Sequence, residues 1–362
     1  MIAVDANGAD LGPAEVAAGA ALAAQQGARV LLFGPRAEMD MRAEIGPLPA
    51  GVEVVDAPLS IAKSPDPARA ARANPEASIV QTARAVAEGR AQALVCAGGT
   101  GAALAAGLFN VKRARGIHRP ALALPLPVPG HPVTLLDVGA NAQAREEHLV
   151  QFAFMGAAFA QVVLDVRRPR VGLLSNGEEQ GRGSPLVVAA RAQLVERLAA
   201  ASGRGAMLSE PVGNVEGGAA LPFEFVGNVE GGDLTSGVAD VIVTDGFTGN
   251  VALKVMEGVS QTMLRSIRDA ALSSSRAKLG GALLRPALRS FRDQIDPEGQ
   301  GGAYLLGLRQ LGVVPHGSFT RHGFAQAILR AARGAQEDLV GRTHAALEQA
   351  GALRTAPSRS GS

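Results

Sequence analysis

The sequence predicts an α/β fold, a mostly parallel sheet between two layers of helices. Three observations predict it. Short apolar runs alternate with long helical patterns along the whole chain. The runs lack strict polar alternation, as strands buried on both faces do. Polar, glycine-bearing loops follow the runs, which is where ligands gather in parallel sheets. The composition suits this reading: 362 residues, 47% hydrophobic, with 45 Gly and no Trp, can bury a large core of small side chains.

Taken in order, the first run is 2–4, and Pro13 behind Gly12 marks the first helix start. Runs at 30–33 and 52–55 follow, and the run at 94–96 leads into a glycine loop at 97–101. The run at 133–136 leads into polar residues 137–145. The run at 171–174 leads into ten polar or glycine residues at 175–184, with Pro185 opening the next helix behind Ser184. The run at 241–244 precedes a glycine turn at 245–249 and a helix from Asn250 onward. The last run, 312–314, precedes loop 316–318. With parallel strands, the loops at 5–12, 97–101, 137–145, 175–184, 245–249 and 316–318 gather on one rim and form one crevice.

Residues 1–340 read as a single α/β/α catalytic domain carrying a basic helical segment at 262–296, and 341–362 as a helix end and a disordered tail. The sequence Val-Gly-Asn-Val-Glu-Gly-Gly occurs identically at 212–218 and 226–232, so 205–222 reads as a duplicated surface loop.

Charge and cysteine usage exclude several classes. A net charge of +2 and no stacking-aromatic motif give no indication of nucleic acid. Cys96, the one cysteine, rules out an intrachain disulfide and fits a reducing cytoplasm. No basic-then-apolar leader opens the chain, and no apolar run reaches the ~20 residues that span a bilayer. No His or Cys pair has zinc spacing, so no metal is expected. The glycine loops lack a dinucleotide or P-loop fingerprint, so no cofactor is expected.

The densest signal is 240–258. Strand, glycine turn and helix N-terminus together read as an anion site formed by Asp245, Gly246, Gly249 and Asn250. Lys254 could reach back over it, and stands out among 35 basic residues because nearly all the others are arginines. In loop 175–184, Asn176, Gly177, Glu178 and Arg182 are costly to order unless they bind something. Gly98, Gly99, Thr100 and Gly101 read either as a tight turn or as a ligand loop. Asn141 can donate to a developing oxyanion. His148 and His316 read either as buried structural imidazoles or as crevice donors. Cys96 reads as a core residue rather than a nucleophile. In 262–294, seven cations lie beside an apolar row of Leu284, Leu288, Phe291 and Ile295, with Pro286 in a first helical turn. That pattern fits an interfacial helix or an ordinary packed one.

The segment Asp245-Gly-Phe-Thr-Gly-Asn-Val-Ala-Leu-Lys-Val-Met-Glu-Gly258 resembles the signature of bacterial acyl-ACP:phosphate acyltransferases. The opening 3–10, Ala97–Ala102, Gly116–Ala121, Leu136–Asn141, Glu147–Gly156, Gly227–Gly231 and His316–Gly317 resemble that family in the same order, from Ile2 to about Ala332. Two positions depart from the pattern. Gly99 stands where the family has Asn, and Arg182 where it usually has an active-site Lys. Arginine stays charged and cannot transfer a proton, so Arg182 reads as a phosphate clamp.

The resemblance implies a homodimeric α/β/α enzyme with a phosphotransacetylase- or isopropylmalate dehydrogenase-like fold. It would transfer a fatty acyl chain from acyl carrier protein to inorganic phosphate, supplying acyl phosphate to a glycerol-3-phosphate acyltransferase for phospholipid synthesis. It also implies attachment to an anionic membrane surface through 262–294, at the cytoplasmic face. Lys254, Arg182, Asp245, Asn250 and Asn141 would be catalytic, and the remaining loop residues and histidines would bind substrate. A coenzyme A-dependent phosphotransacetylase, an NAD-dependent decarboxylating dehydrogenase and a non-catalytic membrane-surface dimer are the rival readings.

Overall fold

A computed structural model describes residues 1–40, 47–130, 133–201 and 223–354. In chain order the elements are β1 (Ile2–Asp5), α1 (Pro13–Gln25), β2 (Val30–Gly34), α2 (Arg36–Asp40), β3 (Val52–Asp56), α3 (Pro67–Ala73), α4 (Ser78–Ala87) and β4 (Ala93–Cys96). Next come α5 (Thr100–Ala106), β5 (Ala121–Leu126), β6 (Val133–Leu136), α6 (Glu146–Val163), β7 (Arg170–Ser175), α7 (Pro185–Ala201), β8 (Glu224–Glu230) and β9 (Val241–Val243). The chain ends with α8 (Gly246–Leu272), α9 (Ser275–Gln294), β10 (Ala303–Leu306), β11 (Leu311–Val314), α10 (Arg321–Gln336) and α11 (Leu339–Gln349).

Among the described residues all the strands join one 11-stranded sheet, ordered β3-β2-β1-β4-β11-β10-β5-β6-β9-β7-β8. Alternate residues of each strand enter two separate cores: Ile2 and Val4 one, Ala3 the other; Val95 one, Leu94 and Cys96 the other. The sheet is therefore the middle of three layers, and its runs need no polar alternation. Helices α1, α6, α7 and α10 supply one core, α4 and α5 the other. Helix α6 is buried almost all round, from His148 to Val163 apart from Gln161, which explains its near-continuous apolar sequence.

The eight expected strands are present, and β5, β8 and β10 are added to them. Pro125 lies in β5, where its missing N–H reads against a central strand. Gly227 and Asn228 weaken the reading of β8.

The added strands overturn the single rim. Strand β10 pairs antiparallel with both β11 and β5, and β5 pairs antiparallel with β6. Strands β6, β9, β7 and β8 are mutually parallel but run opposite to β1, β2, β3, β4 and β11. The carboxyl ends of the two halves therefore point to opposite edges of the sheet.

Two helical readings also change. Helix α8 begins at Gly246, so 245–249 is a cap and first turn rather than a loop. Pro286 lies inside α9 rather than in its first turn. Residues 258–270 of α8 are exposed throughout, and α9 packs chiefly on α8. The pair forms a hairpin that stands away from the sheet layers. Among the described residues no helix is long and apolar enough to cross a membrane. The duplicated loop at 205–222 and the tail beyond Arg354 lie outside the described residues.

Candidate active site

The loops form two sets. At the ends of β1, β4 and β11, the Asp10 N–H donates to the Gly317 carbonyl at 2.7 Å. Gly98 sits so close that an added Cβ would lie 2.8 Å from the Gly8 carbonyl oxygen and 3.0 Å from Gly317 Cα. Gly99 precedes α5 without a side-chain cap, and Thr100 and Gly101 open that helix on the surface. His316 is exposed, its Nδ1 2.7 Å from Ser318 Oγ.

Under this set lies a buried group that the sequence did not single out. The carboxyl of Asp5 accepts from Asn7 N–H and lies 3.6 Å from Cys96 Sγ. Burial pushes Asp5 up to about 7 and the Cys96 thiol up as well. Cys96 is thus a core residue and a poor nucleophile. The folded chain keeps the Asp5 proton that the unfolded chain releases near its ordinary value of 3.8. This stabilising contribution is complete below that value and lost as pH rises through about 7. Asp5→Asn is therefore expected to flatten the fall in melting temperature between mildly acidic and mildly alkaline buffer. An unchanged fall would show that Asp5 does not carry it.

The second set lies at the ends of β6, β7 and β9. Asp137 is fully buried, and its carboxylate accepts five N–H bonds. Leu122, Gly139 and Ala140 backbone groups donate to Oδ1, and the Asn141 backbone and Nδ2 to Oδ2, at 2.8–3.1 Å. Asn141 Nδ2 also donates to the Pro120 carbonyl at 2.7 Å. Both amide protons of Asn141 are thus engaged in the fold, and its reading as an oxyanion donor is corrected.

Helix α8 rests directly on this loop. An added Cβ at Gly246 would lie 2.8 Å from Asn141 backbone atoms, and at Gly249 1.9 Å from the Asp137 carbonyl oxygen. These glycines serve close packing. The N–H groups expected to hold an anion are already used. Gly246 donates to the Asn141 carbonyl, and Phe247 and Thr248 donate to the Asp245 carboxylate. Asp245 is accordingly the cap of α8. Asn250 is exposed one turn on, and Lys254 Nζ points to Glu257 at 2.8 Å with its side chain 60% exposed.

Loop 175–184 is held by Asn228, which lies in the 227–231 motif but was not named as a site residue, since β8 was not recognised as a strand. Its Nδ2 reaches the carbonyls of Gly177, Glu179 and Arg182 at 2.9–3.2 Å. Asn176 and Glu178 are exposed, and the Arg182 guanidinium is exposed beside Glu179 at 3.6 Å.

Between the start of β5 and the start of α6, at the carboxyl end of β6, lies a cleft of about 480 Å³. Arg119, Arg145, Arg354, His118, His148 and Glu147 line it. Of these, only His148 was a sequence-level candidate; the signal for His118, Arg119, Arg145 and Glu147 was the motif at 116–121 and the run of charges before His148, and Arg354 had none. His148 is 7% exposed, and its Nδ1 accepts the Arg145 N–H at 3.2 Å. The nitrogen and oxygen ligand atoms of His118, Glu147 and His148 lie within 4.8 Å of one another. Burial, above all, lowers both imidazoles from their ordinary value, although Glu147 opposes the shift. Both are therefore neutral near pH 7. A second cleft of about 400 Å³ shares His118, Glu147 and Arg354.

The chain matches, over residues 1–342, a family described as "Fatty acid synthesis protein". It is 40% identical over 344 residues to a phosphate acyltransferase of Pelotomaculum thermopropionicum, covering 94% of this chain and 92% of that one. It is also 40% identical over 341 residues to one of Thermus thermophilus, covering 94% and 96%. Among solved structures, a phosphotransacetylase from Streptococcus pyogenes superposes with a TM-score of 0.57 at 16% identity, over 93% of this chain and 94% of the other. A branched-chain phosphotransacylase from Enterococcus faecalis gives 0.54 at 14%, over 92% and 99%. These structures share the three-layer fold.

Proposed function

The chain belongs to the bacterial phosphate acyltransferase family, and from that membership we propose that it transfers a long-chain acyl group from acyl carrier protein to inorganic phosphate. Acyl transfer to phosphate is the activity of the family; the carrier-bound donor and a role in phospholipid synthesis are our reading. The observation that carries it is the basic cleft beside α6. Transfer to phosphate requires cations and N–H donors around a space open to solvent, and Arg119, Arg145, Arg354 and His148 supply them. No covalent nucleophile is required. A thiol with an ordinary value near ~8.5 leaves as thiolate, so phosphate can attack the thioester directly. Positioning and charge stabilisation then carry the catalysis.

Lys254 and Arg182 do not line this cleft and are the alternative phosphate ligands, on α8 and loop 175–184. Lys254→Ala is expected to raise the phosphate requirement more than the acyl-donor requirement; equal effects would remove it from the site.

The α8–α9 hairpin supports attachment to a membrane and pairing with a second copy. Phe247, Val251, Val255, Val259 and Met263 form an exposed i, i+4 row on α8, suited to a second chain. Leu284, Leu288 and Phe291 form an exposed row on α9 beside Arg285 and Arg289, suited to anionic lipid at the cytoplasmic face.

One assay decides between donors. Turnover of phosphate with a long-chain acyl-ACP, and little with acyl-CoA, supports the proposal. The reverse preference makes the protein a phosphotransacetylase. Replacing Leu284, Leu288 and Phe291 with Gln is expected to release the protein from anionic vesicles with soluble turnover retained. A monomeric or unfolded product would assign that row to an interface or the core.

A further inference from the structure

The cleft beside α6 combines two features that oppose each other unless the ligand is of a particular kind. Three guanidiniums and one carboxylate line it, a net charge of +2 with both imidazoles neutral (three cations less one anion). A cleft that only collected anions would gain nothing from Glu147. Its carboxylate lies 3.8 Å from the Arg145 guanidinium, beyond direct hydrogen-bond distance, so both groups keep the capacity to bond a ligand. Glu147 is half-buried, and its oxygen shares the cluster with the His118 and His148 ring nitrogens.

The tautomer of His148 decides the sign of the ligand. Its Nδ1 accepts the Arg145 backbone N–H, so the ring proton sits on Nε2. Nε2 has no hydrogen-bond partner among the described residues. It is therefore an N–H donor on a residue that lines the cleft, which a metal ion cannot use and an oxyanion can. The surrounding guanidiniums act in the same direction.

We propose, resting on the reading of this chain as an acyltransferase to phosphate, that this cleft is the phosphate site and that Glu147 makes it selective for phosphate over sulfate. Arg119, Arg145, Arg354 and the His148 Nε2–H hold the anionic oxygens. Glu147 accepts the hydrogen bond of the P–OH that inorganic phosphate carries near neutral pH. Sulfate has no such proton, so its oxygens would meet the carboxylate as like charges. A phosphodiester, such as that of a pantetheine arm, lacks the proton too, which favours inorganic phosphate as the source. The volume, about 480 Å³, leaves space beside a phosphate for the reacting end of a thioester.

The test is calorimetric titration of the full chain with inorganic phosphate, sulfate, a dialkyl phosphate and Zn²⁺ at matched ionic strength. Phosphate is expected to bind at least tenfold more tightly than sulfate or the diester. Glu147→Gln is expected to bring phosphate and sulfate within about threefold, and to make sulfate an inhibitor competitive with phosphate during turnover. Arg119→Gln and, independently, Arg354→Gln are each expected to weaken phosphate at least tenfold with the melting temperature retained. A parent protein that binds sulfate as well as phosphate overturns the proposal, as does a Glu147→Gln variant that keeps the preference. Preferential binding of Zn²⁺ or of the diester overturns it too. Failure of the functional reading looks different. Phosphate would bind as described while no acyl phosphate formed from any acyl donor. Turnover with unchanged phosphate KM in Arg119→Gln, Arg354→Gln and Glu147→Gln would instead place the phosphate site elsewhere.

Discussion

Gly249→Ala is expected to destabilise the protein by about 3 kcal/mol or more, the upper range for overpacking. The added Cβ would sit 1.9 Å from the Asp137 carbonyl oxygen and 2.9 Å from Thr244 Cγ2. The first of these is backbone, held by its neighbours in the 137–141 turn, so no rotamer change relieves the contact. Either α8 lifts from the sheet or the turn gives way. Gly258→Ala on the same helix is the matched control, because nothing lies within 4 Å of its added Cβ. That change is expected to be neutral or to stabilise by about 0.5–1 kcal/mol through helix propensity. Denaturant midpoints of the two variants, compared at constant m, measure the difference. Gly249→Ala falling within about 1 kcal/mol of the control would show that α8 is not seated as described.

Asp137→Asn is expected to cost a similar amount, about 3 kcal/mol or more. The carboxylate accepts from five N–H groups and has no cation among its hydrogen-bond partners in the described residues. An amide nitrogen in place of either oxygen would turn a donor toward at least two donors, all in a buried site. The same five bonds shape the turn on which Gly246 and Gly249 rest. Asp137→Asn and Gly249→Ala should therefore be non-additive in a double-mutant cycle. An Asp137→Asn protein as stable as its parent would contradict the described network. A strictly additive pair would show that the turn and α8 are independent.

Most of the sheet could be read from the sequence because its strands are buried on both faces, and burial leaves a continuous apolar run. The runs at 94–96 and 171–174 needed nothing else. Strand β5 was hidden by Pro125, and β8 by Gly227 and Asn228, residues whose usual preferences tertiary pairing overrides here. Strand direction was not legible at all. An apolar run has no local feature that says which way it runs relative to a distant neighbour, so the reversal between β11 and β6 required the pairing itself. The glycines of 245–249 were correctly seen as special, but for the wrong reason. A sequence shows that a side chain is absent, and cannot tell a turn from a close approach. The cleft was the least legible feature. His118 and Arg119 precede one strand, Glu147 and His148 open a helix, and Arg354 lies more than 200 residues away. Only His148 was singled out among them.

Helix α8 is fixed at one end and free over much of its length. Its first turn is pressed against the Asp137–Asn141 turn by two glycine contacts, while residues 258–270 stand in solvent. Twenty-seven residues at about 1.5 Å each make a rod of roughly 40 Å. A rod clamped this way is a cantilever. A small sideways load at the tip becomes a torque at the root, and there is no side chain between root and turn to absorb it. The turn bearing that torque is joined by a few residues to α6 and to the wall that carries Glu147 and His148. Whatever grips the hairpin's far end is therefore mechanically in series with the anion cleft.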